Sequence, residues 1–179
     1  FVIATENCVS ASSSNKYKFM IICSPVQAYY AGEVRVVIAD KYSRSANGGV
    51  GFAKAAGNYA ASFYPAKLAA KQGYQQVLWT DASNHEFLEE AGTMNVFFRV
   101  NDTLLTAPTS ERILDGVTRK SIIQFAEDKG IKVEVRQGSV ETPVYEYISK
   151  QWLVHDIAVN DYLELKFAVS RIDLMKLEY

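Results

Sequence analysis

The sequence predicts an α+β fold, mixed α/β in character, within a chain of 179 residues. Three observations carry that prediction. Residues 86–90, 95–100 and 103–106 read as three strands too closely spaced for helical crossovers, as antiparallel hairpins require. Two stretches with helical spacing, 58–72 and 118–129, are each followed by a short strand-like run. Hairpins and helix–strand units in one chain do not make the steady alternation of a doubly wound fold.

The elements follow in order. The apolar run 18–24 stops at Pro25 and predicts a buried strand; 33–39 predicts a second, partly alternating, after a loop at 27–32. The small polar residues 10–15 predict a surface loop. Asn58 is placed to cap a helix reaching about Gln72 and closed by Gly73. Ala61, Tyr64 and Leu68 repeat on one helical face, Lys67 and Lys71 lie on others, and Pro65 predicts a kink or a late start. Residues 76–80 form a strand ending in a polar turn at 81–84, and Asn101-Asp102 is the hairpin turn between the later strands. Ile122, Ile123 and Phe125 belong to the second helix, which stops at Gly130, and 131–135 alternates as a half-buried strand does. The tail also has burying residues, among them Trp152, Leu153 and Ile157, with strand-like alternation at 163–167. Neither a repeat nor a low-complexity segment is present.

Composition narrows the functional classes. Hydrophobic residues make up 49% of the chain, ample for the core of one domain or of one large domain from a longer protein. A net charge of -1 and the absence of any Lys/Arg run give no reason to expect nucleic acid or an anionic membrane. Cys8 and Cys23 form no C-x-x-C pair and no disulfide framework, which points to reduced thiols and a cytoplasmic location. No apolar stretch reaches the length of a membrane span, and no signal-peptide pattern opens the chain. Beginning at Phe1 rather than Met, the sequence reads as a fragment, a processed product or an incompletely recorded chain.

The chemistry-bearing stretch is 48–59, Gly-Gly-Val-Gly-Phe-Ala-Lys-Ala-Ala-Gly-Asn-Tyr. An amine that attacks an aldehyde needs close approach and a lowered pKa, and crowding of Lys54 by small neighbours would supply both. Glycines also let a backbone approach a planar ligand. Taken alone, the same residues also read as a glycine turn feeding a helix, with Lys54 exposed.

Two further segments are candidates. In a strand, Glu86, Leu88 and Glu90 share one face while Phe87 and Glu89 share the other, so one carboxylate should point inward beside Ala91, Gly92 and Thr93. The alternative is an edge strand with solvated glutamates. The stretch 113–119, Ile-Leu-Asp-Gly-Val-Thr-Arg, leads into a helix whose free amides suit a phosphate. Its alternative is simple capping by Thr118.

Other chemistries find no support. His85 and His155 have no ligand-spaced partner for a metal. There is no G-x-S-x-G, no phosphate loop and no complete G-x-G-x-x-G.

Taken in order, the segments resemble the large domain of branched-chain aminotransferases, the fold-type IV enzymes that use pyridoxal 5'-phosphate. The resemblance runs from Phe1 to about Val135. It rests on residues 1–6 (Phe-Val-Ile-Ala-Thr-Glu), 22–26 (Ile-Cys-Ser-Pro-Val), the glycine–lysine stretch, 76–79 (Gln-Val-Leu-Trp), 89–95 (Glu-Glu-Ala-Gly-Thr-Met-Asn) and 116–119 (Gly-Val-Thr-Arg). It implies a pseudo-barrel of mixed strands with surrounding helices over 1–136. Residues 137–179 form a divergent C-terminal segment expected to pack on the same domain.

The resemblance also implies roles. Lys54 would form the Schiff base with the cofactor and then move the proton. Tyr59 would hydrogen-bond the cofactor's phenolic oxygen, and Glu90 would pair with its ring nitrogen. Leu114 would pack on the ring, and Val117 with Thr118 would hold the phosphate. Thr93 and Met94 would line the substrate side. Transamination of leucine, isoleucine and valine with 2-oxoglutarate follows as the implied reaction, with an amino acid and a 2-oxo acid as small-molecule partners and a homo-oligomer as the assembly. A non-catalytic scaffold of this family, a D-amino acid aminotransferase and an aminodeoxychorismate lyase are the alternatives.

Overall fold

The computed structural model describes residues 1–25, 34–100 and 102–140, with the side chains of Arg99 and Val100 excepted. The expectations for the loop at 27–32, for Asn101 and for the tail from 141 onward lie outside the described residues. Strands and helices are mixed as expected, in a curled half-barrel.

Strands β1 (Val2–Ala4) and β2 (Tyr17–Phe19) pair antiparallel, with Val2 opposite Phe19, and make a separate two-stranded sheet. The buried strand expected over 18–24 therefore ends at Phe19, and Phe19, Ile21 and Ile22 are exposed. A two-stranded ribbon has no second layer of its own in which to bury such side chains. Cys8, in the connection between these strands, and Cys23, after them, are free and exposed.

A four-stranded sheet follows, ordered β3 (Val36–Ile38), β4 (Gln76–Thr80), β5 (Phe87–Ala91), β9 (Gly138–Ser139). β3 and β4 run parallel, joined by helix α1 (Ala56–Lys71), whereas β4–β5 and β5–β9 are antiparallel. A three-stranded sheet holds β6 (Phe98–Val100), β7 (Thr103–Thr106) and β8 (Lys132–Val135). β6–β7 is antiparallel, with Val100 opposite Thr103, and β7–β8 is parallel across helix α2 (Val117–Asp128). Leu78, Leu88, Ala91, Val96, Phe98 and Leu105 pack into one buried cluster and so join the two sheets.

Helix α1 begins at Ala56, with Ala55 as its cap and no side-chain capping bond. Asn58 is thus inside the first turn and is not the cap, and Pro65 does not delay the start. The buried face is Asn58, Ser62, Pro65 and Ala69, one position on from the expected Ala61–Tyr64–Leu68 face, and Tyr64 is 60% exposed. Small side chains win this face because the helix lies close on the sheet, where Ala69 packs with Val37, Ala39, Val77 and Trp79. Gly73 at φ +83 ends α1 and Gly130 at φ +70 follows α2, conformations that favour glycine. Among the described residues no helix is long and apolar enough to cross a membrane.

Candidate active site

The loop leading to α1 carries Lys54, and its path is set by its own sequence. Gly48 adopts φ +73, and a Cβ on Gly51 would stand 2.5 Å from the Arg112 carbonyl oxygen. Only glycine fits there. Asn58, from the first turn of α1, reaches back and donates through Nδ2 to the carbonyls of Val50 (2.8 Å) and Ala53 (2.9 Å). Lys54 itself is exposed. The small neighbours therefore shape the loop and leave the amine open instead of crowding it. Its Nζ lies 4.9 Å from the centre of the Tyr59 ring, and the Arg44 guanidinium lies 5.9 Å from the same ring.

Strand β5 supplies the acids. It is an inner strand, between β4 and β9, so the edge-strand alternative does not hold. One inward carboxylate was expected; both Glu89 and Glu90 are buried, and only Glu86 is exposed. They leave the strand on opposite sides, and each meets an arginine. Glu90 pairs with Arg44 at 2.7 Å, and Glu89 pairs with Arg112. Burial pushes the Glu90 carboxyl up to about 7, against the opposing pull of Arg44. Burial likewise raises Glu89, opposed by Arg112.

Asn95 ties this floor to the next loop. Its Nδ2 donates to Glu90 Oε2 (3.0 Å) and to the Leu114 carbonyl (2.9 Å). A Cβ on Gly116 would lie 2.2 Å from Asn95 Oδ1, so the close approach of that loop requires glycine.

Gly116, not Thr118, is the cap of α2, and it offers no side-chain bond. The first amides of the helix have no intrahelical acceptor and present positive partial charge, while Val117 and Thr118 are exposed beside them. Arg119 lies buried beneath. Its Nη2 donates to the Ala107 carbonyl at 2.9 Å, and its Nε has no hydrogen-bond partner among the described residues. Burial lowers its pKa, opposed by the charge of Asp115.

One cleft of about 140 Å³ collects these groups. Lys54, Tyr59, Glu90, Thr93, Met94, Leu114, Val117 and Thr118 all line it, so the residues to which the resemblance gives a role stand around one space, while Glu86 and Glu89 do not line it. Arg44, Asn95 and Arg119 line it as well. Asn95 and Arg119 stand in the stretches 89–95 and 113–119 without a role of their own there, and Arg44 was not singled out, because a lone arginine after a polar run carries no distinguishing pattern. No group of metal-ligating side chains occurs among the described residues. His85 hydrogen-bonds Thr80 through Nδ1 at 2.7 Å.

The donor set fits a planar, phosphorylated aldehyde. It offers an accessible amine, a phenol, a buried acid, an uncapped helix N-terminus and a buried guanidinium with an unsatisfied N–H.

Comparison with known proteins defines the class. The amino-transferase class IV family matches residues 4–144, and the chain belongs to that family. Its curated relatives include a probable branched-chain-amino-acid aminotransferase of Staphylococcus epidermidis, 49% identical over 145 residues, covering 79% of this chain and 40% of that protein. The branched-chain-amino-acid transaminase 1 of Bacillus subtilis is 46% identical over 145 residues, covering 79% and 41%. The chain thus spans about two fifths of the length of these relatives. Among solved structures, the branched-chain amino acid aminotransferase of Escherichia coli superposes with a TM-score of 0.63 at 27% identity, over 73% of this chain and 43% of that one. The branched-chain aminotransferase of Thermoproteus uzoniensis, solved with norvaline, gives a TM-score of 0.61 at 26% identity, over 69% and 40%.

Proposed function

We propose that this chain forms the cofactor-holding part of a pyridoxal 5'-phosphate-dependent aminotransferase that moves the amino group of leucine, isoleucine or valine to 2-oxoglutarate. The observation that carries this reading is the cleft itself, which gathers Lys54, Tyr59, Glu90 and the open end of α2. The curated relatives at 46–49% identity support the substrate class. A cytoplasmic homo-oligomer, acting on small molecules, completes the proposal.

Pyridoxal phosphate, when bound, supplies an aldehyde for amine attachment and a ring that delocalises the electron pair left by the departing α-proton. Lys54 Nζ is the attaching amine. When not attached, Nζ would be the base that takes up and holds the α-proton of the amino acid. Tyr59 Oη would hydrogen-bond the phenolic oxygen. Glu90 would accept a hydrogen bond from the protonated ring nitrogen, and its burial beside Arg44 would keep water from competing. Leu114 would pack on the ring. The amides at Val117 and Thr118, with the Thr118 hydroxyl, would hold the phosphate, and Arg119 would add positive charge. Thr93 and Met94 border the substrate.

Borohydride reduction of the chain mixed with pyridoxal phosphate, followed by peptide mapping, tests the reading. A phosphopyridoxyl adduct on Lys54 is expected, with 4-methyl-2-oxopentanoate released from leucine when 2-oxoglutarate is present. No adduct on Lys54 would overturn the assignment. An adduct without keto acid would leave a cofactor-binding domain of this family that does not turn over by itself.

A further inference from the structure

We infer that Arg112 is a positioning residue: it locks the Lys54 loop to the strand that bears Glu90, so that the amine and the acid address one ring at a fixed separation. This rests on the cleft being a pyridoxal phosphate site.

Apart from its amide, which donates to Ser110 Oγ in its own loop, the contacts around Arg112 join the same two pieces. Its guanidinium forks between Glu89 on β5 and Asn47 on the Lys54 loop. Its carbonyl accepts hydrogen bonds from Arg44 Nη1 (2.9 Å) and Ser45 Oγ (3.0 Å), and Arg44 Nη1 also reaches the Gly51 carbonyl at 3.2 Å. The adjacent Glu111 accepts from the Gly48 amide through Oε2 (2.9 Å) and from the Phe52 amide through its carbonyl (3.1 Å). Because Glu89 and Glu90 project to opposite sides of β5, Arg112 on one and Arg44 on the other straddle the strand. The Arg112 carbonyl joins the two arginines into one staple.

This geometry serves placement more than stability. A buried ion pair is often matched or bettered by apolar residues of similar volume, whereas a planar guanidinium fixes two acceptors in a set relation. Placement matters here because Lys54 must form a bond to a ligand whose far side meets Glu90. A misplacement of about 1 Å between reacting groups costs on the order of a hundredfold in rate.

The test compares two ligands on the full chain. Pyridoxal phosphate can bond to Lys54; pyridoxamine phosphate has the same ring and phosphate but no aldehyde. In the double variant Arg112→Met, Glu89→Leu, the melting temperature should stay near that of the unaltered chain. Its affinity for pyridoxal phosphate should fall about tenfold or more, and its affinity for pyridoxamine phosphate less than about threefold. Arg112→Lys, which keeps the charge but not the fork, should fold and show the same unequal loss in smaller degree. Equal losses for both ligands, or none, overturn the inference, since a merely structural residue would not discriminate between them. If the unaltered chain never reacts at Lys54, the functional reading falls first. Hydrogen exchange at the Gly48 and Phe52 amides then judges the lock: acceleration of about tenfold or more in Arg112→Lys keeps it, and unchanged rates overturn it.

Discussion

Arg44 and Glu90 meet at 2.7 Å with side chains only 4% and 5% exposed, which makes this the most enclosed ion pair described in the cleft. An acid so placed has its proton affinity set mainly by lost hydration, with Arg44 restoring part of the loss.

A pH dependence follows. The Glu90 carboxyl is raised from 4.5 to about 7 on folding, so the folded protein binds the extra proton between those values. Stability is then greatest below the window and falls as pH rises through it. Urea midpoints taken across that range should fall for the unaltered chain and stay flatter for Glu90→Gln. The difference between the two profiles should reach a few kcal/mol, on the order of 1.4 kcal/mol per pKa unit.

Arg44→Met leaves Glu90 buried without its cation. A loss of about 3–5 kcal/mol at pH 8 is expected, shrinking at pH 5 where the acid is neutral. Denaturant unfolding at the two pH values checks this, and an equal loss at both would contradict the role assigned to the pair.

Asn58 holds the Lys54 loop by two carbonyls, so Asn58→Ala should cost about 1–3 kcal/mol. Asn58→Asp, nearly the same in shape but without a donor, should cost at least as much. A stability near that of the unaltered chain for Asn58→Asp would show that the donated bonds carry little.

Gly116→Ala sets a methyl 2.2 Å from Asn95 Oδ1. Overpacking of this kind costs about 1–3 kcal/mol, and displacing Asn95 also frees Glu90 Oε2. Weaker pyridoxal phosphate binding should accompany the lower melting temperature.

On the proposed function, Arg119 would separate phosphate recognition from ring recognition. Arg119→Gln should weaken pyridoxal phosphate binding roughly tenfold, in keeping with the strength of charge-assisted bonds, while unphosphorylated pyridoxal binds as before. Equal losses for the two ligands would remove Arg119 from the phosphate cradle.

Much of this was legible in the sequence where local rules decide. β4 over Gln76–Thr80 and β7 over Thr103–Thr106 fall where expected, because short apolar runs bounded by turn residues leave little choice. The glycine ends of both helices were readable for the same reason. The buried face of α1 was not, since Ser62 and Pro65 look polar or disruptive until a sheet lies close against them. Nor was the burial of both Glu89 and Glu90. Strand alternation sends one outward, and it meets Arg112, a residue distant in the chain. Lys54, Tyr59 and Glu90 came from the order and spacing of motifs, whereas Arg44 needed three-dimensional proximity to be seen, and the burial of Arg119, within its motif, needed the fold.

The bare N-terminus of α2 has one more consequence. On the proposed function, an anion held by the first turn of α2 would bind the folded chain and not the unfolded one, and so would contribute to folding by mass action. Melting temperature then becomes a gauge of phosphate: raising inorganic phosphate at constant ionic strength should lift it, and chloride should not. The domain would carry part of its own folding energy in the solution around it.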